Sequence, residues 1–295
     1  MYDDIQKNKV KTGVIVFFFL TMITLAIYYV CMWFELGEIS IVIALIFSII
    51  STYATYHNCD KIVLRSVNAR EATREEDLQL TNILDGLMVA SGLEHKPKLY
   101  VVDSEQPNAF ATGRDPEHAV ICVTKGLLEK MTYYELEGVI AHELGHVKNY
   151  DIRLSAVISV MVGFIVMLSD MVIRVSFRRS GRSSNRSSSG SGILMLIGLV
   201  CLIVSPIVSQ IIQLAVSRRR EYLADATAVS FTRNPDGLIS ALKKLDSDST
   251  EYEYASNSSS HMYIINPFKS KRNKTSIFAT HPCIADRVEA IEKLR

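Results

Sequence analysis

Hydrophobic and polar positions divide the chain into four long apolar runs and two charged, periodic stretches. Residues 13–34 carry no charge, and after the short turn Glu35-Leu36-Gly37-Glu38 a second uncharged run covers residues 39–56. A helix needs about 20 apolar residues, at 1.5 Å each, to cross the hydrocarbon core of a bilayer, so this pair predicts a transmembrane hairpin. A third run, 154–173, is broken only by Asp170, and a fourth, 192–217, contains Pro206, Gln210 and Gln213. These predict a second hairpin, either spanning or re-entrant. Between its arms, residues 178–191 are serine, glycine, one asparagine and four arginines, a composition that buries no apolar face and predicts disorder.

Between the two pairs the pattern changes period. Leu80, Ile83, Leu84, Leu87 and Met88 recur at helical spacing up to a stop at Gly92, and residues 97–102 and 118–123 read as short strands. Thr132 and Glu135 form a capping box, followed by Leu136, Val139, Ile140, Leu144 and Val147 on one helical face. The expected fold is α+β: a mainly helical integral membrane protein with two hydrophobic hairpins and a small β-sheet. Its expected parts are a hairpin over 1–69, a first soluble segment over 70–153, the second hairpin over 154–217 and a second soluble segment over 218–295.

The capped helix carries His142-Glu143-Leu144-Gly145-His146. Imidazoles at i and i+4 project to one side and can grip one metal ion, and Glu143 is suited to take a proton from an attacking water. A hydrolytic zinc site needs a third protein ligand. The metzincin pattern fails, because Asn149 and Ile152 stand where its glycine and third histidine belong. Glu221 and Asp225 are one helical turn apart and share a face, so one can ligate while the other orients an imidazole; spacing alone equally allows Glu221 a salt bridge to a neighbouring arginine. His57, His95, His118 and His261 have no partner at ligand spacing and read as surface or structural residues.

Taken with Asn149 and Asp151, the Arg220-Glu221-x-x-Ala224-Asp225 motif, Asn108-Ala109-Phe110-Ala111-Thr112-Gly113 and Thr280-His281-Pro282, the chain resembles the HtpX family of membrane zinc proteases, relatives of the CAAX prenyl proteases. The resemblance runs nearly end to end. It implies a zincin-like catalytic domain made of 70–153 and 218–295, one zinc ion on His142, His146 and Glu221, Glu143 as general base, and Asp225 and Asn149 in support. It also implies that substrate lies extended along an edge strand at Asn108, Ala109, Phe110 and Ala111. Read without the family, that segment is a strand ending in a Gly113-Arg114-Asp115-Pro116 turn. His281 would stabilise the oxyanion by the same resemblance, or else cap the terminal helix. Cys283 replaces a second proline usual in the family.

Charge enters through its placement, since 32 basic and 31 acidic residues leave a net +1 that suggests no nucleic-acid partner. Lys7, Lys9 and Lys11 before the first run, and Lys61, Arg65 and Arg70 after the second, place both flanks in the cytoplasm by the positive-inside rule, whereas the arginines of 178–191 oppose a full second crossing. Leu154 begins the third run eight residues after His146, and Gln213 near the end of the fourth lies eight before Glu221, roughly 12 Å of helix on either side, so the ion is expected near the cytoplasmic membrane face. The five scattered cysteines make no Cys-x-x-Cys pair, and no phosphate-binding Gly-x-x-x-x-Gly-Lys loop signals ATP use. The expectation is a multi-pass endopeptidase acting at that face on membrane or misfolded proteins, a quality-control role that the resemblance implies. The rivals are a CAAX-type prenyl-peptide protease and a non-proteolytic scaffold that keeps the metal site. Residues 246–260, rich in serine, are expected to form a mobile loop able to cover the cleft.

Overall fold

A computed structural model describes residues 2–33, 37–161, 218–250, 262–264 and 282–295. The fourth apolar run, the loop 178–191, residues 251–261, His281 and most of the third run lie outside the described residues.

The first two apolar runs form helices α1 (Tyr2–Trp33) and α2 (Ile39–His57), lying side by side. Their contact is made by small and polar groups as well as apolar ones: Ser40, Ala44 and Ser48 are buried on one stripe of α2, and the Ser48 and Thr24 hydroxyls hydrogen-bond at 2.7 Å. The other faces remain exposed, with Phe17, Ile41, Val42, Leu45, Ile46, Phe47, Ile49 and Ile50 among the outward side chains. Among the described residues only α2 is long and apolar enough to cross a membrane, where two hairpins were expected; the second lies largely outside the described residues. Helix α1 also starts eleven residues before its apolar run. Its charged start is compatible with a helix, since lysine, glutamine and similar residues cost a helix little.

Helix α3 (Cys59–Ser66) leads to a four-stranded sheet: β1 (Arg70–Glu71), β2 (Lys98–Val102), β3 (Ala109–Thr112) and β4 (Val120–Thr124). The order is β1-β2-β4-β3, with β2 parallel to β4 and the two outer strands antiparallel to their neighbours. Both faces are covered, which explains why β4 reads as an unbroken apolar run. Ile121 and Val123 face the main core, formed with α4 (Arg74–Ser91), α6 (Tyr133–Lys148), α8 (Arg218–Thr232) and α9 (Pro235–Ser247), while Val120 and Cys122 face α3 and residues 156, 160, 262 and 263. Helix α5 (Lys125–Lys130) separates β4 from α6, helix α7 starts at Asp151 and is described to residue 161, and α10 (Ile284–Glu292) closes the described chain.

Two capping boxes fix helix starts. Thr73 and Glu76 begin α4, and at α6 the Glu135 carboxylate accepts from Thr132 N at 2.8 Å, from Ser240 Oγ at 2.5 Å and from Lys244 Nζ at 2.6 Å. Burial would raise the Glu135 pKa, but these bonds outweigh it and hold the carboxyl at about 2. Gly92 ends α4 in the left-handed conformation, φ +65°. Gly138 lets α6 approach α9 closely, since a Cβ there would lie 2.9 Å from the Leu238 backbone.

Helix α7 joins the apolar pair to this body. Leu154, Val157, Ile158 and Met161 pack on Ile15, Phe19 and Ile23 of α1, and Arg153 donates to the Tyr56 hydroxyl.

Candidate metal centre

The first-turn cap sets the rotation of α6, so that Leu136, Val139, Ile140, Leu144 and Val147 enter the main core. His142 and His146 then turn together toward α8, with ring centroids 4.8 Å apart. Helix α8 packs along α6 and brings Glu221 opposite both rings: Glu221 Oε2 lies 3.7 Å from His142 Nε2, and Oε1 lies 3.7 Å from His146 Nε2. The three residues offer ligand atoms all within 4.8 Å of one another.

The donor set fits a divalent ion for two reasons. Bonds of about 2.0–2.1 Å in tetrahedral geometry put ligand atoms roughly 3.3 Å apart, close to the 3.7 Å spacings seen. The outer ring nitrogens are also already engaged. His142 Nδ1 is 2.9 Å from Asp225 Oδ1, and His146 Nδ1 is 3.0 Å from Asp151 Oδ2, an arrangement in which each Nδ1 would donate to its carboxylate and each Nε2 would be left to face a bound ion. The pocket's field has the same sign of preference. Burial would lower the His146 pKa, but the Asp151 hydrogen bond and the Glu221, Asp151 and Glu143 carboxylates lift it to about 9, a measure of how strongly the site attracts positive charge.

Glu143 follows His142 on the helix and is buried, and neither of its carboxylate oxygens has a hydrogen-bond partner among the described residues. Burial raises its pKa, opposed by the two histidines and by the nearby Ala111 backbone. A buried carboxylate without a partner is costly, and such groups are kept where they act on something else.

The carboxylate on the His146 imidazole is Asp151, which spacing alone did not single out. Asn149 caps the C-terminus of α6 through its backbone N–H, and Tyr150, with φ +61°, turns the chain so that Asp151 reaches back to His146. Asp151 is also 3.8 Å from Arg220. A second residue went unread. Arg287 of α10 is fully buried and forks onto Asp225 at 2.7 and 2.8 Å, donates to the Ile264 carbonyl at 3.2 Å and lies 3.6 Å from Glu221. Burial would disfavour its charge, but Asp225 and Glu221 hold it protonated, and it in turn keeps Asp225 well below the usual carboxylate range against the effect of burial. Its signal was available: Ile284, Arg287, Val288 and Ile291 form one helical stripe, on which an arginine is out of place unless paired.

Ala109, Phe110 and Ala111 lie in the edge strand β3 beside α6 and Asn108 directly precedes it, all four buried. The Asn108 carbonyl accepts from Thr124 N, its side chain accepts from Ala109 N, and the Ala109 carbonyl accepts from Ile264 N. His118 Nδ1 lies 2.7 Å from Asp115 Oδ1 within the turn after Gly113. With Asp115 and Glu117 it forms a second, more exposed trio of metal-binding types.

The model of peptidase family M48 matches residues 74–295. A "Protease HtpX homolog" of Dictyoglomus thermophilum is 42% identical over 99% of this chain and 94% of its own length. Similarly named proteins of Thermoanaerobacter pseudethanolicus, 40% identical, and Listeria monocytogenes, 41% identical, each match 100% of this chain and cover 98% and 100% of their own lengths. The crystal structure of S. mikatae Ste24p shares the fold, with a TM-score of 0.51 at 18% identity, over 99% of this chain and 67% of that one.

Proposed function

Because the chain belongs to peptidase family M48 and is a metalloprotease of the HtpX type, we propose that it is a membrane-embedded zinc endopeptidase working at the cytoplasmic membrane face. The observation that carries the reading is the pairing of each Nδ1 with a carboxylate while both Nε2 atoms face Glu221. His142, His146 and Glu221 would hold one zinc ion, which supplies Lewis-acid activation of the scissile carbonyl and of the attacking water. Asp225 and Asp151 fix the imidazole tautomers, and Arg287 holds Asp225 in place. Glu143 takes the proton from the water and delivers it to the leaving amine, a task suited to a carboxylate whose pKa burial has raised. Ala111 would pair with an extended substrate. His281, outside the described residues, is assigned the oxyanion.

The membrane reading rests on the exposed apolar side chains of α1 and α2 and on the packing of α7 against α1, which ties the catalytic body to those helices. The described parts of 70–153 and 218–295 then form one catalytic body, since α6 and α8 build the site together. Exposed segments of membrane proteins and misfolded chains near the bilayer are the proposed substrates, in a quality-control role without ATP. The test is cleavage in proteoliposomes of one substrate in two forms, membrane-tethered and soluble, with Glu143→Gln as blank. Preferential cleavage of the tethered form supports the reading. Equal cleavage removes the membrane-proximal part, and cleavage surviving in Glu143→Gln removes the mechanism.

A further inference from the structure

Only Asn149 and Tyr150 separate the end of α6 from the start of α7, and Asp151 is the first residue of α7. Asp151 reaches His146 Nδ1 at 3.0 Å because Tyr150 takes φ +61°, a left-handed backbone that a residue with a Cβ disfavours. The contacts that hold this turn come from the N-terminal hairpin. Lys9 of α1 places its Nζ over the Tyr150 ring, 4.7 Å from the centroid. Two residues beyond Asp151, Arg153 Nε donates to the Tyr56 hydroxyl of α2 at 2.8 Å, and the guanidinium lies 5.5 Å from the centre of the same ring. Leu154, Val157, Ile158 and Met161 then continue the contact along α1. Asp151 is thus bracketed, with the residue before it held by α1 and the second residue after it held by α2. Lys9 stands four residues before the first apolar run and Tyr56 ends the second, so both contacts lie at one end of the hairpin. Arg220 of α8 draws on the same carboxylate from 3.8 Å, but through the side chain and not through the backbone of the turn.

We propose that Lys9 and Tyr56 are positioning residues for the metal centre: through the turn from Tyr150 to Arg153 they keep the Asp151 carboxylate on His146, so that metal affinity depends on the seating of the membrane hairpin against the catalytic body. This rests on the reading of His142, His146 and Glu221 as metal ligands. Neither Lys9 nor Tyr56 touches a ligand. Their effect is carried by the orientation and basicity that a carboxylate gives the imidazole it accepts from. The hairpin is then a part of the metal site as well as an anchor.

Zinc affinity of the full chain in lipid nanodiscs, measured by competition with a chelating dye, gives a readout besides turnover; melting of the zinc-free protein is followed alongside. Lys9→Ala should weaken zinc binding about two- to fivefold, and because Lys9 is exposed its loss leaves the fold intact. Lys9→Arg keeps a cation over the ring and should bind as wild type does. Tyr56→Phe, which loses only the hydroxyl, should weaken binding about fivefold. Tyr150→Gly, free to take the left-handed backbone, should bind zinc about fivefold or more tightly than Tyr150→Ala. The decisive arm repeats Lys9→Ala and Tyr56→Phe in Asp151→Ala, where neither should weaken binding further. Equal losses with and without Asp151 would overturn the proposal, as would unchanged affinity in Lys9→Ala combined with Tyr56→Phe. A lower melting temperature with zinc affinity kept would also overturn it, since the hairpin would then support the fold alone. A wild type that binds no zinc would remove the metal reading beneath the proposal, whereas zinc binding that ignores these changes removes the proposal alone.

Discussion

Replacing Arg287 by methionine removes a buried cation from between Asp225 and Glu221 and leaves the apolar stem nearly intact. Arg287 is 0% exposed, so no solvent can take the place of the lost charge. Asp225 would lose two bonds of 2.7 and 2.8 Å and keep His142 Nδ1 at 2.9 Å, and Glu221 would lose a cation 3.6 Å away. Breaking a buried pair from one side costs about 3–5 kcal/mol, most of it the stranded partner. At roughly 2–4 °C per kcal/mol for a body of this size, thermal unfolding of the chelated protein in detergent should fall by roughly 6–20 °C. Arg287→Lys should fall less, because a point charge replaces the fork without its geometry. Asp225→Asn combined with Arg287→Met should be less damaging than the sum of the two single changes by about 2 kcal/mol or more, since the pair is removed together. Additive effects would refute the reasoning, for they would mean that Arg287 stabilises the site through packing alone.

Other expectations follow from the same geometry. Asp151→Ala should weaken zinc binding about 10- to 100-fold, read by competition with a chelating dye, while Asn149→Ala should not. Glu143→Gln should lower kcat by roughly a hundredfold or more with zinc content unchanged, as measured by metal analysis beside a peptide assay. Glu135 gives a pH signature. Its pKa is about 2 in the fold against an ordinary value of 4.5, so its contribution is present in full above pH 4.5 and is lost as pH falls through about 2. The stability gap between wild type and Glu135→Gln, roughly 2–3 kcal/mol in denaturant melts at neutral pH, should therefore close toward pH 2. Gly138→Val should push α6 off α9 and lower both melting temperature and zinc occupancy, because the obstacle is the Leu238 backbone and cannot rotate away.

Much of this arrangement is legible in the sequence where one local rule acts. The Thr132-Glu135 box, the stop at Gly92, both strands flanking the β3 segment and the 3.6-residue stripe of α6 all emerge where spacing places them. Glu221 and Asp225 are legible because a shared helical face is a local fact. Asp151 is not, since its reach to His146 depends on the left-handed Tyr150 between them, a conformation no residue type there demands. Arg287 depends on a contact across 62 residues of sequence, although its place on an apolar stripe marks it. The hydrogen bond from Ile264 to Ala109 of β3 is tertiary in the same sense: nothing in either segment names the other. Apolar runs mark what must avoid water, not where a helix starts, which is why α1 extends well ahead of its run.

The central claim is that His142, His146 and Glu221 hold one zinc ion that Glu143 serves as base. Zinc content per chain, measured with peptidase activity on wild type, Glu143→Gln and Glu221→Ala, tests it most directly. The account predicts about one zinc and activity in the first, about one zinc without activity in the second, and neither in the third. Full zinc occupancy with undiminished cleavage in Glu221→Ala would contradict it.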